Sequence, residues 1–145
     1  MQRDTNIQFK QIKTIDTYAV RHPVLRSGLT QDSCAFDRDD DSGTIHLGAF
    51  LNQKHVGVLT LLTNPLDVQL RGMAMLKSHQ GVGIGKMMMA KAEQVVRQLD
   101  RKMVWMNARL IAIPFYKKCG YKTTGNKFVL PYGGVHFKMT KILCD

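Results

Sequence analysis

The chain of 145 residues is long enough for one domain, and its 44% hydrophobic and 22% charged residues are ordinary for a soluble globular protein. No apolar run approaches the roughly 20 residues of a membrane span, and the amino terminus has no signal-peptide core. The three cysteines, Cys34, Cys119 and Cys144, are too far apart for a zinc motif or a C-x-x-C pair. We therefore expect a single cytoplasmic domain over residues 1–145, with reduced thiols, no metal and no membrane association.

The net charge of +10 lies entirely in the second half of the sequence. Residues 1–72 contain eight basic and eight acidic residues, whereas residues 73–145 contain thirteen basic and three acidic residues. This asymmetry suggests an anionic partner, although a solvated basic face without a specific partner fits equally well. The basic residues are scattered over several elements without interleaved surface aromatics, so we expect no nucleic-acid partner.

The first half of the chain predicts a strand, a helix and a hairpin. The predicted elements are a strand at 7–13, a helix at 14–28, an acidic loop at 37–43 and hairpin strands at 44–52 and 54–63. We expect Pro23 to bend or end the helix, since proline lacks the N–H of a helical hydrogen bond. The hairpin turns at Asn52-Gln53, and Asn64-Pro65 ends its second strand.

The second half alternates strands and helices. The predicted elements are a strand at 68–76, a helix from Gly85, a strand at 102–108, a short helix at 113–121 and two strands within 127–143 around Gly133-Gly134. The strand at 68–76 is apolar on both faces, which favours a central position in a sheet. In the long helix Met88, Ala92, Val95 and Leu99 form one apolar stripe, and Glu93 is expected on the solvated side. These elements predict one α/β domain with a mixed sheet.

The segment "GVGIGK", residues 81–86, joins the central strand to the long helix. A helix amino terminus leaves backbone N–H groups unpaired and carries partial positive charge. Glycines before it allow a phosphate to approach these N–H groups without meeting a side chain, and Lys86 adds a full charge. A glycine-rich turn without a ligand is the alternative.

Two common nucleotide-binding motifs do not fit this segment. A P-loop would need glycine at Gln80 and a hydroxyl at Met87. A Rossmann fingerprint fails at its last position, which is Lys86, and no acidic residue follows at the end of the next strand. Spacing therefore excludes both.

The segment does fit Q/R-x-x-G-x-G/A, as Gln80-Gly81-Val82-Gly83-Ile84-Gly85, which resembles the pyrophosphate loop of the GNAT superfamily of acyl-CoA-dependent N-acyltransferases. A second stretch, "WMNARLIAIPFYKKCGY", resembles the family's next motif at Asn107, Ala112, Phe115, Tyr116, Gly120 and Tyr121. The resemblance covers nearly the whole chain and is most specific over 68–121. It implies an α/β (α+β) fold with a largely antiparallel sheet of about 6–7 strands, flanked by helices, in which a parallel pair of strands splays around the cofactor site.

The resemblance also implies acetyl-CoA as the acyl donor and no metal. The residues implied for its pyrophosphate are Gln80, Gly81, Val82, Gly83, Ile84, Gly85 and Lys86. The pantetheine arm would pair with the backbone of Met73, Ala74 and Met75. Asn107 would bind the end of this arm or orient the acceptor, unless it only caps the following turn.

Acyl transfer from a thioester to an amine expels a thiolate, so an acid near the sulfur helps. The resemblance assigns this role to Tyr116, whose phenol has an ordinary pKa of about 10 and is protonated at neutral pH. A packing role is the alternative. His46 and His136 lie in strand patterns and could point into the cleft, but we assign no general base, since a water chain serves equally.

The resemblance implies that the acceptor site lies near the first helix and the last two strands. The candidate residues there are Arg21, Arg26, Tyr132 and His136. Arginines would favour an amine that bears a carboxylate or phosphate, unless they pair with the acidic loop instead. We expect transfer of an acetyl group from acetyl-CoA to a primary amine of a small molecule by direct attack. The alternatives are a non-catalytic CoA-binding domain and acetylation of a protein amino terminus or lysine. A homodimer is compatible with the resemblance.

Overall fold

This computed structural model describes residues 6–144 of the chain. These residues form one mixed sheet of seven strands and three α-helices. The elements are β1 (Ile7–Ile12), α1 (Thr14–Leu25), β2 (Thr44–Leu51), β3 (Lys54–Thr63), β4 (Val68–Met75), α2 (Ile84–Gln98), β5 (Met103–Arg109), α3 (Ile113–Lys118), β6 (Lys122–Leu130) and β7 (Gly134–Ile142). Short 3₁₀ turns occupy Gln31–Cys34, Lys77–His79 and Leu110–Ala112. Within residues 6–144, no helix combines the length and the hydropathy that a membrane span requires.

The strands follow the order β1-β2-β3-β4-β5-β7-β6, and every neighbouring pair is antiparallel except β4 and β5. These two strands run parallel and pair only at Val68 with Val104 and at Gln69 with Trp105. Beyond Gln69 they separate. The predicted fold class, a largely antiparallel sheet with a splayed parallel pair and flanking helices, is confirmed.

The irregularity of β4 follows from Gly72. The β3–β4 register shifts between Val58 and Thr60, and Gly72 adopts a positive φ of 64°, which a side chain would strain. A Cβ at this position would also come within 2.9 Å of the Phe36 ring. Glycine therefore permits both the bulge and the close approach of the loop that carries Phe36.

The helices cover opposite faces of the sheet. Met88, Met89, Ala92 and Val96 of α2 are buried in the main hydrophobic cluster, and this stripe matches the predicted helical face in part. On the other face, Val20 of α1 belongs to a smaller cluster with residues of β3 and β4. Burying these apolar side chains on both faces is what holds the central strands in place.

The predicted boundaries of two elements are wrong, and so is the predicted environment of Glu93. Helix α1 ends at Leu25 rather than at 28, shortly after Pro23, and β6 begins at Lys122 rather than at 127. Strand β6 lies at the edge of the sheet and most of its residues are exposed, so it lacks the apolar alternation that predicts a strand.

Glu93 is buried, whereas the helical pattern predicted a solvated position. Its carboxylate accepts hydrogen bonds from the Tyr121 hydroxyl at 3.0 Å and from the Lys141 ammonium at 3.0 and 3.1 Å. Lys141 also donates to the carbonyl of Cys119. Burial, followed by the charge of Glu93, raises the pKa of Tyr121, so its phenol keeps the proton that it donates.

A second buried ion pair joins α1 to the loop after it. The Arg21 side chain is fully buried and donates to both carboxylate oxygens of Asp39, at 2.8 and 3.0 Å. It also donates to the Cys34 carbonyl and to the Thr60 hydroxyl. The ring of Phe36 lies 3.9 Å from the guanidinium carbon. Arg21 thereby fixes the loop containing Phe36 against both α1 and β3.

The Arg21–Asp39 pair generates a stability prediction. Asp39→Asn leaves a buried guanidinium without its negative partner, so we expect the free energy of unfolding to fall by about 3–5 kcal/mol, measured by urea unfolding at pH 7. Asp41→Asn is the matched control. Asp41 pairs with Arg38 at 3.1 Å, but both side chains are exposed, so this change should cost less than about 1 kcal/mol.

The loss of stability in Asp39→Asn should also depend on pH. Burial disfavours the ionised form of Asp39, but hydrogen bonds from Arg21 and the Phe36 N–H outweigh it and hold the pKa of Asp39 below its usual value. Its contribution is therefore present above the unfolded pKa of about 3.9 and is lost as the pH falls through the lower folded value. The stability difference between wild type and Asp39→Asn should be constant above about pH 5 and shrink below pH 4. Equal stabilities at pH 7 would contradict the prediction.

Candidate active site

A cavity of about 720 Å³ lies where β4 and β5 separate. Its walls come from four parts of the chain: residues 69–73 of β4, residues 106–109 of β5, the α1 end and following loop between Leu25 and Asp37, and the β6–β7 turn from Leu130 to Gly133 with His136. Tyr116 of α3 completes the lining. The predicted site residues Arg26, Asn107, Tyr116, Tyr132 and His136 all line this cavity.

The glycine-rich loop follows β4 and leads directly into α2. Gly81 and Gly83 have positive φ angles of 79° and 90°, and a Cβ at either position would meet no atom within 4 Å. Gly83 is the N-cap residue, and the first helical hydrogen bond runs from Met87 N to Gly83 O. The outer face of this turn is thus open, with first-turn N–H groups available for an anion.

Two other residues of the loop have structural roles that the sequence did not show. The Gln80 side chain donates to the Met75 carbonyl at 2.8 Å and so ties the loop to the end of β4. Gly85 faces inward, and a Cβ there would lie 3.3 Å from the ring of Phe115. Gly85 therefore allows α3 to pack closely on the start of α2.

Tyr116 is buried, and its ring packs edge-to-face against Phe115 and Tyr121. Its hydroxyl makes no hydrogen bond to any of residues 6–144, so its proton is available to a ligand in the cavity. Burial raises the pKa of Tyr116, while the positive charge of Arg109 opposes this shift. The phenol consequently stays protonated at neutral pH.

Asn107 lies on β5, opposite Lys138 of β7, and lines the cavity. Its side-chain amide forms no hydrogen bond with the described part of the chain, and thus it does not cap the turn at Leu110–Ala112. An amide in this state can donate to and accept from a bound molecule.

The two histidines considered as bases occupy different environments. His46 does not line the cavity, because its ring is buried behind the loop and contacts Thr60 at 2.7 Å, the Asp39 carbonyl at 3.0 Å and Thr14 at 3.1 Å. The expectation that it could point into the cleft is wrong. His136 does line the cavity, and its Nδ1–H donates to the Gly134 carbonyl at 2.7 Å.

The acceptor side contains a different set of arginines from the predicted one. Arg21 was expected at the acceptor site, but it is fully buried by its ion pair with Asp39 and does not line the cavity. Arg71 and Arg109 do line it, together with Arg26, and were missed. Arg71 could have been noticed in the sequence as the one charged residue in the mostly apolar strand at 68–76.

Comparisons with known proteins agree with this geometry. The Acetyltransferase (GNAT) family model matches residues 10–121. The uncharacterized N-acetyltransferase YitI of Bacillus subtilis (strain 168) is 31% identical over 144 residues, which cover 94% of this chain and 97% of YitI. The crystal structure of a provisionally assigned N-acetyltransferase from Lactobacillus plantarum has a TM-score of 0.80 and 22% identity, covering 98% of this chain and all of the other.

A further similar structure contains a ligand. It is a Bacillus subtilis acetyltransferase in complex with CoA, with a TM-score of 0.72 and 16% identity, covering 97% of this chain and 100% of that one. The chain belongs to the GNAT acetyltransferase family and is a GNAT-type acyltransferase. The resemblance seen in the two sequence motifs is thereby confirmed.

Proposed function

We propose that the protein transfers an acetyl group from acetyl-CoA to a primary amine of a small molecule. The observation that carries this proposal is the cavity itself, which has the unbonded Tyr116 hydroxyl in its wall. The open glycine-rich helix start does not line the cavity but adjoins it, because a Cβ at Gly85 would lie 3.5 Å from the side chain of Met73, which does line it. CoA in the similar Bacillus subtilis structure supports the choice of donor.

The loop residues would hold the pyrophosphate of the donor. Gly81 and Gly83 leave open space in which phosphate oxygens can reach backbone N–H groups, and the exposed Lys86 adds a positive charge. Next to the loop, residues 73–75 of β4 lie beyond the last β4–β5 pair, so their backbone on that side can bond the amides of the pantetheine arm. Asn107 lines the same cavity from β5 and would bind the end of the arm or the acceptor.

The bound donor supplies a thioester that an amine attacks, after which the sulfur leaves as a thiolate that must gain a proton. The Tyr116 hydroxyl lies in the cavity wall, forms no hydrogen bond with residues 6–144 and can donate to this sulfur. Because burial raises the pKa of Tyr116 while a thiol ionises near 8.5, transfer of the phenol proton is uphill even to the fully formed thiolate. The proton that the sulfur finally takes up is therefore the one that the attacking nitrogen releases, carried through water. A charge-assisted hydrogen bond to the developing thiolate is the stabilising contribution that we assign to Tyr116.

The alternatives receive less support. A non-catalytic CoA-binding domain would not need a buried tyrosine hydroxyl and an asparagine amide that are both left unbonded in the cavity. A basic protein acceptor would meet three arginines that line the cavity and be repelled by them. A small-molecule amine fits a cavity of about 720 Å³.

The loop assignment predicts the effect of acetyl-CoA on thermal stability. At about 100 times its Kd, acetyl-CoA should stabilise the wild-type protein by about 2.7 kcal/mol, which raises the Tm by several degrees. Gly83→Asp places a carboxylate where the pyrophosphate would bind, so this shift should vanish, as measured by differential scanning fluorimetry.

Gly125→Asp is the matched control for the loop variant. Gly125 also has a positive φ, 73°, and open space around a Cβ, but it lies in β6. Both variants carry similar backbone strain, and only Gly125→Asp should keep the full acetyl-CoA shift. A wild-type protein that neither acetyl-CoA, CoA nor longer acyl-CoAs stabilise would refute the proposed function.

The role of Tyr116 predicts a change in rate without a change in donor binding. Tyr116→Phe should lower kcat by about 10²–10³-fold, since it removes the hydrogen bond to the developing thiolate, and leave the acetyl-CoA thermal shift intact because the ring still packs. The measurement is thiol release with any amine that the wild type accepts. Tyr121→Phe removes a phenol that donates to Glu93, so it should lower stability while kcat stays within a few-fold. Equal kcat for wild type and Tyr116→Phe would show that the Tyr116 hydroxyl does not stabilise the leaving thiolate.

A further inference from the structure

Three guanidinium groups, those of Arg26, Arg71 and Arg109, line the cavity without a carboxylate partner within 4.0 Å among residues 6–144. Two carboxylates also line it, but Asp32 and Asp37 are exposed and form no ion pair with the three arginines. The buried charges of the described chain, Arg21, Asp39 and Glu93, are by contrast all in ion pairs, Arg21 with Asp39 and Glu93 with Lys141. The three half-buried arginines of the cavity have no such partner.

Two of these groups, those of Arg26 and Arg71, lie against the same aromatic ring. Phe36 lies 4.8 Å from the guanidinium of Arg26 and 5.0 Å from that of Arg71, besides its contact with Arg21. Burial lowers the pKa of both Arg26 and Arg71. These cations are thus partly withdrawn from water, a cost that a bound anion would offset.

Arg26 already has structural partners. Its Nε donates to the Ser33 carbonyl, its Nη1 donates to the Leu25 carbonyl, and its plane lies 3.7 Å from the Tyr132 ring. It therefore joins the end of α1 to the β6–β7 turn and closes one wall of the cavity.

Arg71 and Arg109 keep most of their donors free. Arg71 makes one long hydrogen bond, 3.4 Å from Nη1 to the Asp37 carbonyl, and Arg109 makes none to the described residues. The stem of Arg109 is nevertheless fixed, because a Cβ at Gly133 would lie 2.4 Å from its Cδ. Only glycine at 133 lets the β6–β7 turn lie on this side chain, so Arg109 is held in place before any ligand binds.

The position of these two arginines separates them from the donor's phosphates. Arg71 precedes the Gly72 bulge, and at about 3.3 Å per residue the end of β4 at Met75 lies roughly 13 Å further on, before the glycine-rich loop begins. Arg109 follows Asn107 on β5 and is close enough to Tyr116 for its charge to lower the pKa of that phenol. Both arginines therefore lie on the reacting side of the cavity, where the acceptor must enter.

We infer that the acceptor is a small amine that also carries a carboxylate or phosphate, and that Arg71 and Arg109 bind this oxyanion while the amine faces Tyr116. This rests on the proposed function of the same cavity. A guanidinium matches the planar carboxylate and the phosphate with two parallel N–H bonds, which explains why arginine serves here better than lysine. The oxyanion also fixes the distance from the arginines to the attacking nitrogen and so selects the length of the acceptor.

The first test uses the wild-type protein with saturating acetyl-CoA and two matched pairs of amines. One pair is a short amino acid and its carboxamide, and the other is an aminoalkyl phosphate and the corresponding amino alcohol. Thiol release should give a kcat/KM at least about tenfold higher for the oxyanion member of one pair, and that pair distinguishes carboxylate from phosphate. Neutral members that react as well or better in both pairs would overturn the inference.

The second test assigns the effect to the two arginines. Arg71→Gln and Arg109→Gln should each lower kcat/KM for the oxyanion substrate by about 10–100-fold and change that of its neutral partner by less than about threefold. Arg109→Lys should lose less kcat/KM than Arg109→Gln, because lysine keeps the positive charge but lacks the paired N–H donors of the guanidinium. Arg97→Gln, at an exposed position of α2, is the matched control and should change neither. Equal losses on both members of a pair would show a structural role and contradict the inference.

A third measurement does not depend on turnover. With CoA saturating, so that the loop is occupied, the oxyanion amine should raise the Tm of the wild type in a concentration-dependent way, whereas its neutral partner and the two Gln variants should show no such rise. If neither pair turns over or binds, the inference fails while the CoA shift and its loss in Gly83→Asp still support the proposed function. If CoA itself has no effect, the proposed function fails.

Discussion

The separation of β4 from β5 is the constraint on which the rest of the site depends. The two strands pair at Val68 and Gln69 and then part, because β4 bulges at Gly72. A parallel pair in the middle of a sheet normally satisfies its backbone groups by pairing along its length. The gap leaves such groups free, and α1, α3 and the β6–β7 turn close around it to form the cavity.

Charge is distributed so that buried ions within the framework are paired and those in the cavity are not. Arg21 with Asp39 and Glu93 with Lys141 join segments that are distant in sequence, and each carboxylate has at least two hydrogen-bond donors. Such pairs hold the walls of the cavity in a fixed arrangement, since removing one partner leaves a buried charge. The cavity arginines have no such partner, so their electrostatic field is directed at whatever enters the cavity.

Local sequence predicted the parts of the site that local backbone geometry defines. The glycine-rich turn at 81–85 was recognisable because positive φ angles and an open helix start depend on a few consecutive residues. Asn107 and Tyr116 were implied by the resemblance of a second motif to the family, and both line the cavity. The edge strand β6 was predicted too short, because solvent on its outer face removes the apolar alternation.

The sequence by itself thus determined the fold class, the family and the glycine-rich loop that we propose for the donor, since each depends on periodicity or on short motifs. Only the tertiary structure decided which charged side chains are paired and which remain unpaired in the cavity. Glu93 lies on the polar side of its helix pattern, yet Lys141, 48 residues later, reaches it and makes burial favourable. Arg21 was expected to face an acceptor, but Asp39 takes its guanidinium, whereas Arg71 and Arg109 come together only because β4 and β5 part. Whether a charge is paired depends on strands and loops far apart in sequence, which no local pattern encodes.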